Sequence, residues 1–101
     1  MYKILLCCSA GITTSMLVNS MKKEAEKENE KTMIWAVAET ALDLSWADAD
    51  IILVAPQARS DINRIKELVN DSIPVELIDG VDFSSMNGKA VLQQALSILK
   101  K

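Results

Sequence analysis

Short apolar runs alternating with amphipathic stretches predict an α/β fold: a doubly wound four-stranded parallel sheet, order 2-1-3-4, with helices on both faces. Three observations carry that expectation. Ile4-Leu5-Leu6-Cys7 and Ile51-Ile52-Leu53-Val54-Ala55 are continuous apolar runs without alternation, as strands covered on both faces require. Leu17, Val18, Met21 and Ala25 recur at helical spacing opposite charged residues. Turn-forming residues punctuate the chain at Asn70-Asp71-Ser72 and around Gly80.

Taken in order, the first strand covers residues 4–7, a short loop follows, and a helix spans about 14–30. A second strand is expected over 33–38, then a helical turn around 40–46, and the third strand over 51–55. Ser60 or Asp61 caps a helix whose Ile62, Ile65, Leu68 and Val69 share one face. A fourth strand occupies 74–78, a loop runs over 79–85, and a last helix begins near Asn87. Val91, Leu92, Ala95, Ile98 and Leu99 lie on one side of it, and Lys100 and Lys101 suit its C-terminal dipole.

With 101 residues, 50% hydrophobic and 25% charged, the chain is expected to form a single domain over 1–101. No run approaches the roughly 20 apolar residues of a membrane span, and residues 1–8 have no cleavage signature, so a cytoplasmic protein, monomeric in isolation, is expected. A net charge of -3 argues against nucleic acid as a partner, because that affinity rests on clustered lysine and arginine. Lys22, Lys23 and Lys27 alternate with Glu24, Glu26, Glu28 and Glu30, the pattern of a solvated helix face.

Chemistry concentrates in Cys8-Ser9-Ala10-Gly11-Ile12-Thr13-Thr14-Ser15, where the first strand ends. In doubly wound sheets ligands sit beyond the carboxyl ends of the strands. Small residues leading into a helix N-terminus let backbone amides converge on an anion. Cys8 is therefore the candidate nucleophile, its thiolate favoured by that field, and Ser9, Ala10, Gly11, Ile12, Thr13, Thr14 and Ser15 are the candidate phosphate-binding segment. Cys7, one residue earlier, reads as a core residue. Neighbouring strand residues point to opposite faces, so no ordinary disulfide joins the two.

The chain has no histidine, which removes Cys-His dyads, Ser-His-Asp triads and most zinc sites. Neither metal nor other cofactor is expected. The spacing Cys-x5-Thr-Ser resembles the Cys-x5-Arg-Ser loop of low-molecular-weight tyrosine phosphatases, but Thr14 stands at the arginine position. Without a guanidinium fork, hydrolysis of stable esters loses its strongest clamp, so an activated phosphoryl donor is required. A phosphatase-like protein and a redox-sensing thiol protein are the alternatives, the second lacking the usual Cys-x-x-Cys.

The run from Ile4 through Cys8 and Gly11 to Val18 resembles the opening of enzyme IIB proteins of the lactose/cellobiose class of bacterial sugar phosphotransferase systems, close to I-L-L-V-C-A-A-G-M-S-T-S-L-L-V. Ala49-Asp50-Ile51-Ile52-Leu53-Val54-Ala55-Pro56-Gln57-Ala58-Arg59 is similar to the family's A-D-V-V-L-L-G-P-Q-x-R, and Pro74-Val75-Glu76-Leu77-Ile78-Asp79 is a third match. The resemblance covers essentially the whole chain. It implies that Cys8 receives phosphate from a phosphohistidine on a IIA protein and gives it to an oligosaccharide of the cellobiose, lactose or chitobiose type at the IIC membrane permease. Pro56 and Gln57 are then expected to wall the site. Trp35, Trp46 and Phe83 are expected to pack in or beside the core.

Overall fold

The computed structural model describes residues 1–8 and 12–100, the side chains of Ile12 and Thr13 excepted. Strand β1 (Tyr2–Cys8) leads to helix α1 (Ile12–Lys27), strand β2 (Thr32–Ala38) and two 3-10 segments, Glu39–Leu44 and Trp46–Asp48. Strand β3 (Ile51–Val54) passes through a 3-10 turn, Pro56–Asp61, into helix α2 (Ile62–Val69). Strand β4 (Val75–Leu77), the short helix α3 (Gly80–Ser84) and helix α4 (Gly88–Leu99) complete the chain. The four strands form one parallel sheet in the order β2-β1-β3-β4, as the sequence predicts.

Strand β1 is central, and both its faces are covered because its side chains alternate. Ile4, Leu6 and Cys8 join Leu17, Met21, Leu92 and Phe83 in the core beneath α1, α3 and α4. Leu5 and Cys7 join Leu42, Ile52, Ile65 and Val69 in a second core beneath α2 and the 3-10 segments. Each fully buried leucine or isoleucine contributes roughly 1.5–3 kcal/mol by leaving water, so these two layers fix the register. That register sets Cys8 beside Ala38 of β2, and Cys7 between Val37 of β2 and Val54 of β3. Phe83 is buried, while Trp35 and Trp46 pack half-buried against the second core, as expected.

Three local expectations are corrected. Helix α1 starts at Ile12 and stops at Lys27, with Asn29 beyond it in the left-handed region at φ 56°. The segment expected as loop over 79–85 contains α3, because the Asp79 carboxylate accepts hydrogen bonds from the backbone N–H groups of Val81 and Asp82 at 2.9 and 3.1 Å. Asp61 does precede α2, but makes no capping hydrogen bond, since a 3-10 turn runs straight into that helix. At the far end Lys100 pairs with Glu30 and lies 5.9 Å over the Tyr2 ring. Lys101 lies outside the described residues.

Helix α1 is held against α4 at one close approach. A Cβ on Gly88 would lie 2.3 Å from Ser20 Oγ, 2.6 Å from Ser20 C and 2.7 Å from Met21 N, so backbone meets backbone there with no room for a methyl group. Substitution Gly88→Ala is expected to destabilise the fold by about 1–3 kcal/mol, read as a lower midpoint in urea unfolding.

Candidate functional site

The carboxyl ends of β1, β2 and β3 meet at one edge of the sheet. Cys8 is the last residue of β1 and is 2% exposed, on the α1 face. Helix α1 begins at Ile12, so its first turn, whose N–H groups point out of the helix N-terminus, starts four residues after the thiol. No acidic residue occupies that first turn, leaving the positive end of the helix dipole unopposed by side-chain charge. The candidate binding segment is therefore partly helical rather than loop throughout. Ser9, Ala10 and Gly11 lie outside the described residues, as do the side chains of Ile12 and Thr13.

Among the described residues Thr14 is the one buried polar residue, at 0% exposure, and its Oγ1 meets no hydrogen-bond partner there. A buried hydroxyl left without a partner costs about 1–3 kcal/mol. Ser15, the next residue, is exposed. Pro56 and Gln57 open the 3-10 turn after β3, where the Ala55 N–H donates to the Cys7 carbonyl at 2.8 Å. The turn thus starts beside the end of β1, with Pro56 half-buried and Gln57 exposed.

The adjacent thiol is chemically quiet. Burial pushes Cys7 from its ordinary value of 9.0 up to about 12, reinforced by the negative charges of Glu39, Cys8 and Asp61 and opposed by Arg64. Reading the sequence alone misses this charged group. Arg64 Nη2 lies 3.7 Å from Glu39 Oε2, and Arg64 Nε lies 3.9 Å from Asp61 Oδ1. Glu39 Oε1 is buried without a hydrogen-bond donor among the described residues. Burial raises the Glu39 carboxyl above its ordinary 4.5, and the neighbouring Asp61 carboxylate raises it further against the pull of Arg64. The available signals were the i, i+3 spacing of Asp61 and Arg64 and a carboxylate directly after β2.

Residues 3–94 match the family described as PTS system, lactose/cellobiose specific IIB subunit. The chain belongs to that family. As a IIB subunit it is a phosphotransferase component of a sugar-specific phosphotransferase system. It is 38% identical over 102 residues to the oligo-beta-mannoside-specific EIIB component of Bacillus subtilis (strain 168), covering 98% of this chain and 97% of the relative. It is 28% identical to the galactose-specific EIIB component of Lactococcus lactis subsp. cremoris (strain MG1363), with 95% and 94% covered.

Among solved structures, the IIB chain resembles the cellobiose-specific IIB component of Borrelia burgdorferi at TM-score 0.79 and 41% identity, over 95% of this chain and 89% of that one. The fold also matches the lactose-specific IIB domain of Streptococcus pneumoniae at TM-score 0.85 and 22% identity, with 95% of each chain covered. No helix among the described residues is long and apolar enough to cross a membrane, and no described cluster of His, Cys, Asp and Glu could hold a metal ion.

Two outcomes follow from the burial of Thr14 and Cys7. Thr14→Val removes a buried hydroxyl without a partner, so unfolding by urea is expected to show equal or higher stability, by up to about 1 kcal/mol. Cys7, with its thiol raised, favours the folded state fully below pH 9 and loses that contribution as pH climbs toward about 12. Melting temperatures are accordingly expected to fall more steeply over that range in the wild type than in Cys7→Val.

Proposed function

We propose that Cys8 is the phosphoryl carrier of this IIB subunit: it accepts phosphate from a phosphohistidine on a IIA protein and passes it to an oligosaccharide bound by the IIC membrane permease, on the cytoplasmic side. The observation that carries the reading is the position of Cys8 at the end of the central strand, four residues before the start of α1 and on the face that α1 covers. A helix N-terminus without acidic side chains favours both a thiolate and the dianionic ester it becomes.

In the first step the Cys8 sulfur attacks phosphorus and its thiol proton passes to solvent. The S–P bond forms as the N–P bond of the phosphohistidine breaks, and the electron pair stays on the imidazole nitrogen. In the second step a sugar hydroxyl oxygen attacks phosphorus; the O–P bond forms as the S–P bond breaks, sulfur keeps the electron pair, and the hydroxyl proton passes to solvent. Both donors are activated, so the site need only position and stabilise the transferring group. Backbone N–H groups of residues 9–15 and the Thr14 hydroxyl are the donors in this reading, with Pro56 and Gln57 as the wall. The buried Thr14 hydroxyl, which meets no hydrogen-bond partner among the described residues, is then a donor to the phosphoryl group in the phosphorylated form.

Absence of an arginine at position 14 fits a relay, because a tight phosphate clamp would trap the intermediate. The sugar is of the cellobiose, lactose or chitobiose type. Supporting that breadth, the relatives carry different sugar names, oligo-beta-mannoside, galactose and cellobiose, at similar length.

Incubation with a phosphoenolpyruvate-driven phosphorylation chain, followed by mass spectrometry, tests the assignment. One phosphoryl group is expected on the wild type and on Cys7→Val, and none on Cys8→Ala. Full phosphorylation of Cys8→Ala would remove the proposal. Thr14→Val is expected to accept phosphate about tenfold more slowly, consistent with losing one hydrogen bond of about 1.5 kcal/mol to a charged group.

A further inference from the structure

One long edge of the sheet is bare. Strand β2 pairs with β1 on one side and with no described strand on the other, and its seven residues include no proline and no charge. Those are the devices that ordinarily keep a sheet edge from pairing with another chain. The opposite edge, β4, is protected by its length of only three residues. Beside the bare edge Met33 is 48% exposed and Leu44 86% exposed, and with the half-buried Trp35 they line one cleft together with Lys3, Ser45 and Asp48.

The ladder fixes which backbone groups face outward. The Tyr2 N–H donates to the Lys31 carbonyl at 3.0 Å, and Tyr2 stands opposite Thr32 in the parallel register. Met33, Trp35 and Val37 therefore turn their N–H and C=O groups toward β1, whereas Thr32, Ile34, Ala36 and Ala38 turn theirs away. An antiparallel copy of the strand must meet these outward residues with its own. With a twofold axis at Trp35, Thr32 pairs with Ala38 and Ile34 with Ala36 of the second copy, so every outward group of the strand gains a partner. A slip by one residue sets outward against inward groups, and an axis at Ile34 or Ala36 leaves one end of the strand unpaired.

The side chains are self-complementary about the same axis. Lys31 directly precedes β2 and Glu39 directly follows it, and by alternation they share a face with Met33, Trp35 and Val37. Lys31 then meets Glu39 of the second copy, Met33 meets Val37, and the two Trp35 rings meet each other. We propose that the outer edge of β2 joins two copies of this chain into a twofold dimer with one continuous sheet. Glu39 suits that contact, because its 3.7 Å approach to Arg64 Nη2 is too long for a good hydrogen bond and leaves the carboxylate open to a second cation. Exposed ion pairs add little strength, so they set the register while strand pairing and the apolar contacts hold the copies together. The two sheets run in opposite directions, which points the Cys8 edges away from each other and leaves both open. The dimer is thus compatible with the function proposed above and does not rest on it. Composition alone suggests a monomer; the parity of outward groups, visible only in the ladder, points otherwise.

Sedimentation equilibrium of the full chain tests this interface. The wild-type mass is expected to rise from monomer toward dimer between about 10 µM and about 1 mM, the weak range of a small interface. Ala36→Pro removes an outward N–H without touching the β1 ladder, at an edge position where proline is tolerated. It is expected to stay monomeric with an unchanged far-ultraviolet circular dichroism spectrum. Lys31→Glu, at an exposed side chain, is expected to weaken association about tenfold by setting carboxylates against each other at both ends of the interface. On mild oxidation Trp35→Cys is expected to give a disulfide-linked dimer and Met33→Cys is not, since only the residue at the axis meets its own copy. A wild type that remains monomeric at about 1 mM overturns the dimer, as does equal association of wild type and Lys31→Glu. Linkage through Met33→Cys rather than Trp35→Cys overturns the register and the proposal with it.

Discussion

Everything at this site depends on β1 having no solvent face. It is paired on both edges, with β2 and with β3, and both its side-chain layers are roofed by helices or 3-10 segments. A strand in that position cannot slip by one residue without exchanging its two apolar layers. The alternation therefore fixes two adjacent cysteines in different environments. Cys8 goes under α1 and ends beside a helix start, whereas Cys7 goes under α2 and faces Glu39, Asp61 and Arg64. One sequence step, multiplied by the pleat, separates a candidate carrier from a suppressed thiol.

The surroundings reinforce that division through the elements that enclose them. On the α1 face the helix presents N–H groups and no carboxylate in its first turn. Gly88 lets α4 approach α1 until backbone nearly touches backbone, so α1 cannot shift without breaking that contact. On the α2 face, negative charge and burial both act against ionisation of Cys7. The two faces are thus electrostatically opposite, although only one residue of sequence divides them. That polarity suits the carrier role proposed for Cys8, in which a charged phosphate comes and goes without recruiting Cys7.

The fold was legible because its signals are local and repeated. Unbroken apolar runs marked β1 and β3, and helical spacing marked α1, α2 and α4. The crossover rule then left few topologies, of which 2-1-3-4 is the one observed. Less legible were the short elements. Helix α3 depends on a single Asp79 side chain reaching two amides, and five residues carry too little periodicity to distinguish a helical turn from a loop. Asp61 shows the converse, since its type and position suit a cap but its carboxylate lies by Arg64 at 3.9 Å instead.

Sequence alone determined the alternating architecture, the nucleophile candidate at the end of the first strand, the absence of any histidine chemistry and the resemblance to the IIB family. These rest on residue types and spacings within one or two elements. Tertiary structure decided that Thr14 is wholly buried with a hydroxyl that meets no partner among the described residues, and that Glu39 meets Arg64 across 25 positions of chain. Such encounters follow from how the parallel crossovers bring strand ends to one edge. No local pattern encodes them, because the interaction exists only when separate elements pack together.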